Sequence, residues 1–135
     1  MKKVAILLDG SFVRVKLRER LNSHATAEQV FDFAMACIAE DEELLRIYYY
    51  DCPPYAQEET NPISRQTIDF SKEAYFNQQT AFQNKLSRMN HIAYRKGMLS
   101  FKGWKIGPKA WKELLQKPRS VDAHDMAANT INYPG

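Results

Sequence analysis

Acidic side chains follow two apolar runs of this sequence, at places where a charge is costly unless something compensates it. Asp9 closes the run at residues 3–8, and Asp51 closes the aromatic run at residues 44–50. Runs rich in Val, Ile, Leu and Tyr predict β-strands. Because ligands of parallel sheets gather at the carboxyl ends of the strands, we expect an acid there to face a cleft.

A second acidic group lies near the end of the sequence. Ser120 is a natural helix cap, and a helix that begins there would place Asp122, Asp125 and Asn129 on one face. Two interpretations remain open from the residues alone. The acids could stabilise a helix N-terminus, by roughly 0.3 to 1 kcal/mol when exposed. They could instead converge with Asp9 on a hard cation such as Mg²⁺ or Mn²⁺.

The remaining pattern supplies the elements that would position these acids. We predict strands at 3–9, 44–51 and 91–99, helices at 11–21, 26–40, 69–89, 108–117 and from 120 onward, a loop at 53–66, and a short hairpin or irregular strand at 101–108. Strands separated by helices favour right-handed crossovers and a mostly parallel sheet covered on both faces. The 135 residues, 44% of them hydrophobic, predict one domain over 1–135.

Charge is distributed unevenly along the chain. The net charge is only +3, yet residues 85–119 carry ten basic side chains and one acidic side chain. Such a segment attracts polyanions, although a solvated lysine face would look the same. The candidate phosphate contacts are Arg14, Arg18, Lys96, Lys117 and Arg119.

Cysteines and hydropathy exclude several classes of protein. Cys37 and Cys52 have no spacing typical of zinc ligands, so we expect reduced thiols. The sequence has no run of 18 apolar residues and no secretory leader, which predicts a cytoplasmic protein without membrane contact. Tyr48, Tyr49 and Tyr50 could stack nucleic-acid bases, but alternation along a strand favours burial of at least one of them.

The blocks VAILLDGSF, RIYYYDCPP and QKPRSVDAHDMAANTI resemble successive blocks of the NYN domain, a branch of the PIN-like nuclease superfamily, over nearly the whole chain. The resemblance implies a Rossmann-like, three-layer α/β/α sandwich and a metal-dependent endoribonuclease. In such an enzyme, Mg²⁺ or Mn²⁺ held by clustered acids activates water against an RNA phosphodiester. By resemblance, the principal ligands would be Asp9 and Asp122, assisted by Asp125 and supported by Ser11 and Asn129.

The sequence also departs from the family pattern. Ser11 or Phe12 stands where the family usually has asparagine, and Ala128 stands where the family has a second helix acid. The later acidic loop of the family, of the form S-G-D-x-D-F, has no counterpart here. These departures predict a sheet that is incomplete at its C-terminal side. They leave open a degenerate or truncated RNA-binding or assembly module, with a homodimer or another chain completing the sheet.

Overall fold

The computed structural model describes residues 1–133, which form a mixed α/β fold. Its elements are, in chain order, β1 (Lys2–Asp9), α1 (Gly10–Leu21), α2 (Ala27–Ala36), β2 (Glu42–Asp51), β3 (Glu58–Thr60), β4 (Thr67–Asp69), α3 (Ala74–Arg88), β5 (Ile92–Lys96), β6 (Met98–Ile106), α4 (Pro108–Gln116) and β7 (Met126–Tyr133). Short 3₁₀ turns occupy Phe70–Lys72 and Ala123–Asp125. Among the described residues, no helix is long and apolar enough to cross a membrane.

The main sheet has three parallel strands in the order β1, β2, β5. The predicted strands at 3–9 and 44–51 are confirmed, and so is a mixed α/β fold with a partly parallel sheet. The predicted strand at 91–99 is confirmed only as far as Lys96, because Met98 and Leu99 belong to β6, which pairs with β7 in a separate sheet. Helices α1, α2 and α3 pack on one face of this sheet. The core between them is made of Leu8, Ile47, Tyr49 and Ile92 from the strands and Val13, Leu17, Ala27, Val30, Ala34 and Leu86 from the helices.

The other face of the sheet is much more open. Along β1, Leu7 alternates with the buried Leu8 and is 66% exposed. Tyr50, which alternates with the buried Tyr49 on β2, is 46% exposed. Within the described residues, β1 pairs only with β2. Helices therefore cover one face of the sheet, where the sequence predicted cover on both.

Local side-chain chemistry explains where the first two helices begin and end. The Asp9 carboxylate accepts a hydrogen bond from the Phe12 N–H and caps α1, which ends at Asn22 in the left-handed conformation (φ 55°). Thr26 and Gln29 form a reciprocal capping box that begins α2. Both predicted helices are confirmed, although α2 stops at Ala36 rather than near residue 40.

The predicted helix from Ser120 onward is wrong. Only a 3₁₀ turn forms at Ala123–Asp125, and residues Met126–Tyr133 then pair antiparallel with β6. Asn129 lies opposite a bulge in β6 at which Gly103 adopts φ 88°. Asp122, Asp125 and Asn129 therefore do not share a helical face.

The predicted loop at 53–66 also contains structure. Residues Glu58–Thr60 pair with Thr67–Asp69 in a small hairpin. Its connection is ordered by Asn61, whose Oδ1 accepts hydrogen bonds from the Ile63 and Ser64 N–H groups. The Asn61 Nδ2 group donates to the Ala123 carbonyl at 3.2 Å and so ties this hairpin to the segment before β7.

Candidate nucleic-acid interface

A buried ion pair lies where β2 ends. The Asp51 side chain is only 3% exposed and receives two hydrogen bonds from Arg14 on α1, Nε to Oδ2 at 2.9 Å and Nη2 to Oδ1 at 3.1 Å. The Tyr49 hydroxyl donates to Oδ2 at 3.1 Å, and the Cys52 N–H donates to Oδ1 at 2.8 Å. Asp51, which was predicted to face a cleft, is thus buried beneath Arg14, and the guanidinium group compensates its charge.

The ion pair sets the protonation of its neighbours. Burial disfavours the charged form of Arg14, but the hydrogen bonds and charge of Asp51 outweigh that effect and raise the pKa of Arg14. Burial, followed by the negative charge of Asp51, raises the pKa of the Tyr49 hydroxyl and of the Cys52 thiol. Both groups therefore stay neutral, and Arg14 stays cationic, at physiological pH.

Beside Arg14, helix α1, the connection from α1 to α2, and helix α3 line an open cavity of about 150 Å³. Its walls combine cations, amides and apolar groups, and its lining residues are Arg14, Val15, Arg18, His24, Ala25, Tyr75, Gln78, Gln79 and Phe82. A shallower depression of about 610 Å³ shares Val15, Arg18 and His24 with it and extends the surface along the end of α1. We call the cavity and this depression together the α1–α3 cleft.

Arg18 gives the α1–α3 cleft a positive charge that the described part of the chain leaves unpaired. Arg18 and His24 are exposed, and neither makes a hydrogen bond or an ion pair with any residue of 1–133. Glu19, in the shallower depression, is paired with Lys16 at 3.6 Å. The Arg14 Nη1 group reaches the Tyr75 hydroxyl at 3.5 Å, so Tyr75, 53% exposed, stands at the rim of the cavity.

Sequence reasoning identified Arg14 and Arg18 but missed the α3 side of this cavity. Tyr75, Gln78, Gln79 and Phe82 are spaced i, i+3, i+4 and i+7, which places them on one helical face. That spacing is the signal in the sequence. The spacing did not identify a cavity wall, because two glutamines in a polar helix are typical of a solvent-exposed face.

Asp9 and Ser11 lie together at the start of α1. The Ser11 hydroxyl donates to Asp9 Oδ1 at 3.0 Å, and the Phe12 N–H donates to the same oxygen at 3.3 Å. Asp9 is exposed, as expected for an acid at a strand end. Its role within the described residues is to cap a helix, with Ser11 completing that cap.

Asp122 and Asp125 are occupied by a different set of contacts. Arg119 binds Asp125 through two hydrogen bonds of 2.7 Å, and the Asp122 N–H donates to Asp125 at 2.8 Å. These hydrogen bonds lower the pKa of Asp125 to about 2. Asp122 accepts from the His124 N–H at 2.9 Å and lies 3.9 Å from Arg119. The contacts of this pair involve none of the residues that contact Asp9.

The acids predicted as metal ligands are therefore not assembled as a set. Across residues 1–133, no three His, Cys, Asp or Glu side chains are gathered so that they could hold a metal ion. Asp125 is 5% exposed and has both oxygens bound to Arg119. Asp9 and the Asp122–Asp125 pair therefore lie in separate sets of contacts, and binding of Mg²⁺ or Mn²⁺ stays a prediction.

The other predicted phosphate contacts lie on separate surfaces. Lys96, at the end of β5, is exposed, with its Nζ 6.0 Å from the centre of the Tyr94 ring, and lines a second cavity of about 490 Å³. Lys117 is exposed at the end of α4. Arg119 forms an ion pair with Asp125. Only Arg14 and Arg18 are brought together.

Comparison with protein-family models, with curated protein sequences and with solved structures finds no match for this chain.

Proposed function

We propose that this protein binds single-stranded RNA and that the α1–α3 cleft contacts the RNA. The observation that carries the proposal is the exposed Arg18 beside His24, both without a partner in the described residues, at the mouth of a cavity. Cations that line a groove and an aromatic ring at its rim are the two features that single-stranded nucleic acids require. Tyr75 supplies the ring.

The contacts of Arg14 and Arg18 indicate a different role for each residue in the cleft. Arg14 is tied to Asp51 and positions the wall of the cavity, whereas the Arg18 guanidinium group has no partner among the described residues and serves as the phosphate contact. The depression beyond Arg18 and His24 lengthens the groove, which suits a chain of nucleotides better than a single small anion.

Charge reversal at Arg18 tests the proposal. Fluorescence anisotropy with a labelled single-stranded RNA of about 12 nucleotides would compare the natural protein with Arg18→Glu and Arg20→Glu. Arg20 is a matched control, because it lies on the same exposed helix but lines a different depression with Lys16 and Phe33. We expect Arg18→Glu to weaken binding roughly tenfold and Arg20→Glu to weaken it much less. Equal losses in the two variants would contradict the assignment.

Ribonuclease activity with Mg²⁺ or Mn²⁺, which the NYN resemblance implies, is a second candidate function. One observation favours it: Asp9 is exposed where β1 ends, and its hydrogen bonds with the described residues fall on Oδ1, leaving Oδ2 for a ligand. Asp9→Asn is the variant of choice, because asparagine caps helices as well as aspartate does. Metal-dependent RNA cleavage that disappears in Asp9→Asn, with RNA binding retained, would support this function.

We also propose a three-layer sandwich architecture for the complete sheet. In a three-layer sandwich of the NYN type, a further layer would cover the sheet face that carries Leu7 and Tyr50. A second copy of the chain, or another chain that adds a strand beside β1, is the predicted means of completing the sheet. The exposure of Leu7 and the unpaired edge of β1 within residues 1–133 support this part.

A further inference from the structure

Helix α4 leaves part of its apolar face in solvent. Ala110 is buried, and Leu114, one turn later, is half-buried. Trp111 and Leu115, each the next residue along the chain, are 53% and 67% exposed. Successive residues of an α-helix are about 100° apart, so these four side chains form one apolar stripe about 140° wide. The fold covers the side of the stripe with Ala110 and leaves the side with Trp111 open.

Lysines without a partner accompany this stripe. Lys109 and Lys112 lie on α4, Lys105 precedes it on β6, and Lys117 follows it. All four are exposed, and none makes an ion pair or a hydrogen bond through its side chain with any residue that the structure describes. Lys112 lies about 60° around the helix from Leu115. Its aliphatic stem therefore borders the stripe while its ammonium group stays in water.

The acidic side chains near α4 are held on another side. Glu113 lies about 160° around the helix from each of the two exposed apolar residues. Its Oε2 atom is 3.7 Å from Arg119 Nη2, and Arg119 also pairs with Asp122 and Asp125. The acids are therefore gathered around one arginine, which contacts α4 on the face away from the exposed stripe. The lysines keep their charge uncompensated.

A bilayer that contains anionic lipids fits this surface. Tryptophan is enriched at the boundary between lipid head groups and acyl chains, leucine enters the acyl region, and lysine is attracted to anionic head groups. A single-stranded nucleic acid would engage the lysines and stack on Trp111, but it would leave Leu115 in water. A second copy of the chain would cover the stripe but would bring the lysines of the two copies together, which is unfavourable. The lipid surface uses both the apolar and the charged groups.

We propose that α4 binds the surface of membranes rich in anionic lipids, with Trp111 and Leu115 inserted between the head groups and with Lys109 and Lys112 contacting lipid phosphates. The helix lies along the membrane and does not cross it. The expectation of a protein without membrane contact rested on the lack of a long apolar run, which an interfacial helix does not need. The surface shares no residue with the α1–α3 cleft, so the inference goes beyond the proposed RNA binding.

Cosedimentation of the complete chain with lipid vesicles tests the proposal. One set of vesicles contains phosphatidylcholine alone, and the other contains equal parts of phosphatidylcholine and phosphatidylglycerol. We expect roughly tenfold tighter binding to the anionic vesicles, and binding that weakens as salt is raised. Tryptophan emission should shift to shorter wavelength on these vesicles, and Trp111→Phe should remove most of the shift, because Trp104 is already half-buried beside Phe101. No binding, or equal binding to both sets, would overturn the proposal.

Leu115→Ser tests the apolar part of the surface. Loss of a leucine side chain from the acyl region should weaken binding to the anionic vesicles roughly tenfold. Leu45→Ser is the matched control, because Leu45 is 58% exposed on β2 and the substitution is the same. Both positions are exposed, so we expect both variants to fold, which circular dichroism verifies. Equal binding by the two variants would refute the role of α4.

Lys112→Gln tests the charged part of the surface. Removal of one lysine near an anionic bilayer should weaken binding roughly fivefold. Lys3→Gln removes the same charge from β1, where Lys3 is exposed, and should weaken binding much less. Equal losses in these two variants would show that the net charge of the chain attracts the vesicles, and would refute the assignment to α4.

The other occupants of the stripe give different results. If vesicles do not bind and Lys112→Gln weakens the binding of oligouridine, α4 contacts nucleic acid and the lipid proposal falls. If vesicles do not bind and analytical ultracentrifugation shows a dimer that Leu115→Ser dissociates, the stripe is an interface between copies and the lipid proposal falls. Vesicle binding and the Arg18-dependent binding of RNA are measured separately, so the failure of one proposal does not decide the other.

Discussion

At the scale of single residues, the Arg14–Asp51 pair is a largely buried polar contact between α1 and the end of β2. Its carboxylate is nearly buried and receives donors from three residues, Arg14, Tyr49 and Cys52. A buried ion pair contributes little more to the free energy of unfolding than an apolar pair of similar size would. Removal of one partner, however, leaves an uncompensated buried charge. Its role is to hold α1, and with it the cleft, against the end of β2.

Removal of Arg14 should therefore destabilise the fold. We expect Arg14→Met to lower the free energy of unfolding by about 3 kcal/mol, the lower end of the range for a broken buried pair, because Tyr49 and the Cys52 N–H still donate to Asp51. Urea denaturation measures this change. The double variant Arg14→Met, Asp51→Asn should recover part of the loss, and a double variant no more stable than Arg14→Met would argue against an uncompensated charge as the cause.

Asp125 predicts a dependence of stability on acid pH. Its pKa is lowered from 3.8 to about 2 by the hydrogen bonds of Arg119 and then of the Asp122 N–H. A carboxyl with a lowered pKa in the folded state stabilises the protein above its unfolded pKa, and this contribution is lost as pH falls through the folded value. The thermal midpoint of Asp125→Asn should lie below that of the natural protein at neutral pH.

The difference between the two proteins should shrink as the pH falls from 3.8 toward about 2. Circular dichroism melts across this range measure it. A difference that stays constant with pH would show that the ionised carboxyl is not the stabilising group.

The sequence predicted some of the residues of the cavity but not their contacts. Arg14 and Arg18 were identified because they follow a strand end, and the structure places both in one cavity. The pairing of Arg14 with Asp51 joins residues 37 positions apart, and the cavity brings α1 together with α3. Contacts of that kind are set by tertiary packing, which a local pattern does not contain.

At the scale of elements, the close approach of α1 to β2 explains Gly10. A Cβ atom at this position would lie 2.6 Å from Tyr49 Cζ and 2.7 Å from the Tyr50 carbonyl oxygen, which is a backbone atom that cannot rotate away. The glycine after Asp9 is thus required by packing between the first turn of α1 and β2.

Gly10→Ala should destabilise the protein, although alanine is the better helix former. We expect a loss of about 1 to 3 kcal/mol, the usual cost of overpacking a tight site. Arg20→Ala, on the exposed side of the same helix, is the control and should change stability by no more than about 0.5 kcal/mol. A Gly10→Ala variant as stable as the control would show that the chain accommodates the added methyl group.

The elements were predictable where hydrophobic spacing and caps agreed. Thr26 and Gln29 satisfy the capping box that their spacing predicts, and the apolar run before Asp9 forms β1. The prediction failed after Ser120, where helical spacing of Asp122, Asp125 and Asn129 competed with pairing partners on β6. Residues 129–133 include two asparagines, a threonine, an isoleucine and a tyrosine, which are weak helix formers, so strand pairing prevails.

At the scale of the whole molecule, the basic segment at 85–119 and the cleft are different surfaces. Ten of the 19 lysines and arginines lie in that segment, yet the two arginines of the cavity, Arg14 and Arg18, come from α1. Linear charge density pointed to Lys96, Lys117 and Arg119, whereas folding places Arg18 and His24 beside the cavity. The fold class followed from the order of elements. The exposure of the second sheet face and the position of the binding surface could not be predicted from that order, because both depend on which elements meet in space.

The most direct test of the RNA-binding surface is a map of amide resonances during titration with single-stranded oligouridine. Nuclear magnetic resonance of the labelled protein would follow backbone amides and the side-chain amide of Gln79. We predict that the largest shifts fall on α1 around Arg18, on His24, and on the Tyr75 to Gln79 side of α3. Shifts confined to α4 and Lys117, with the α1–α3 cleft unchanged, would contradict the account.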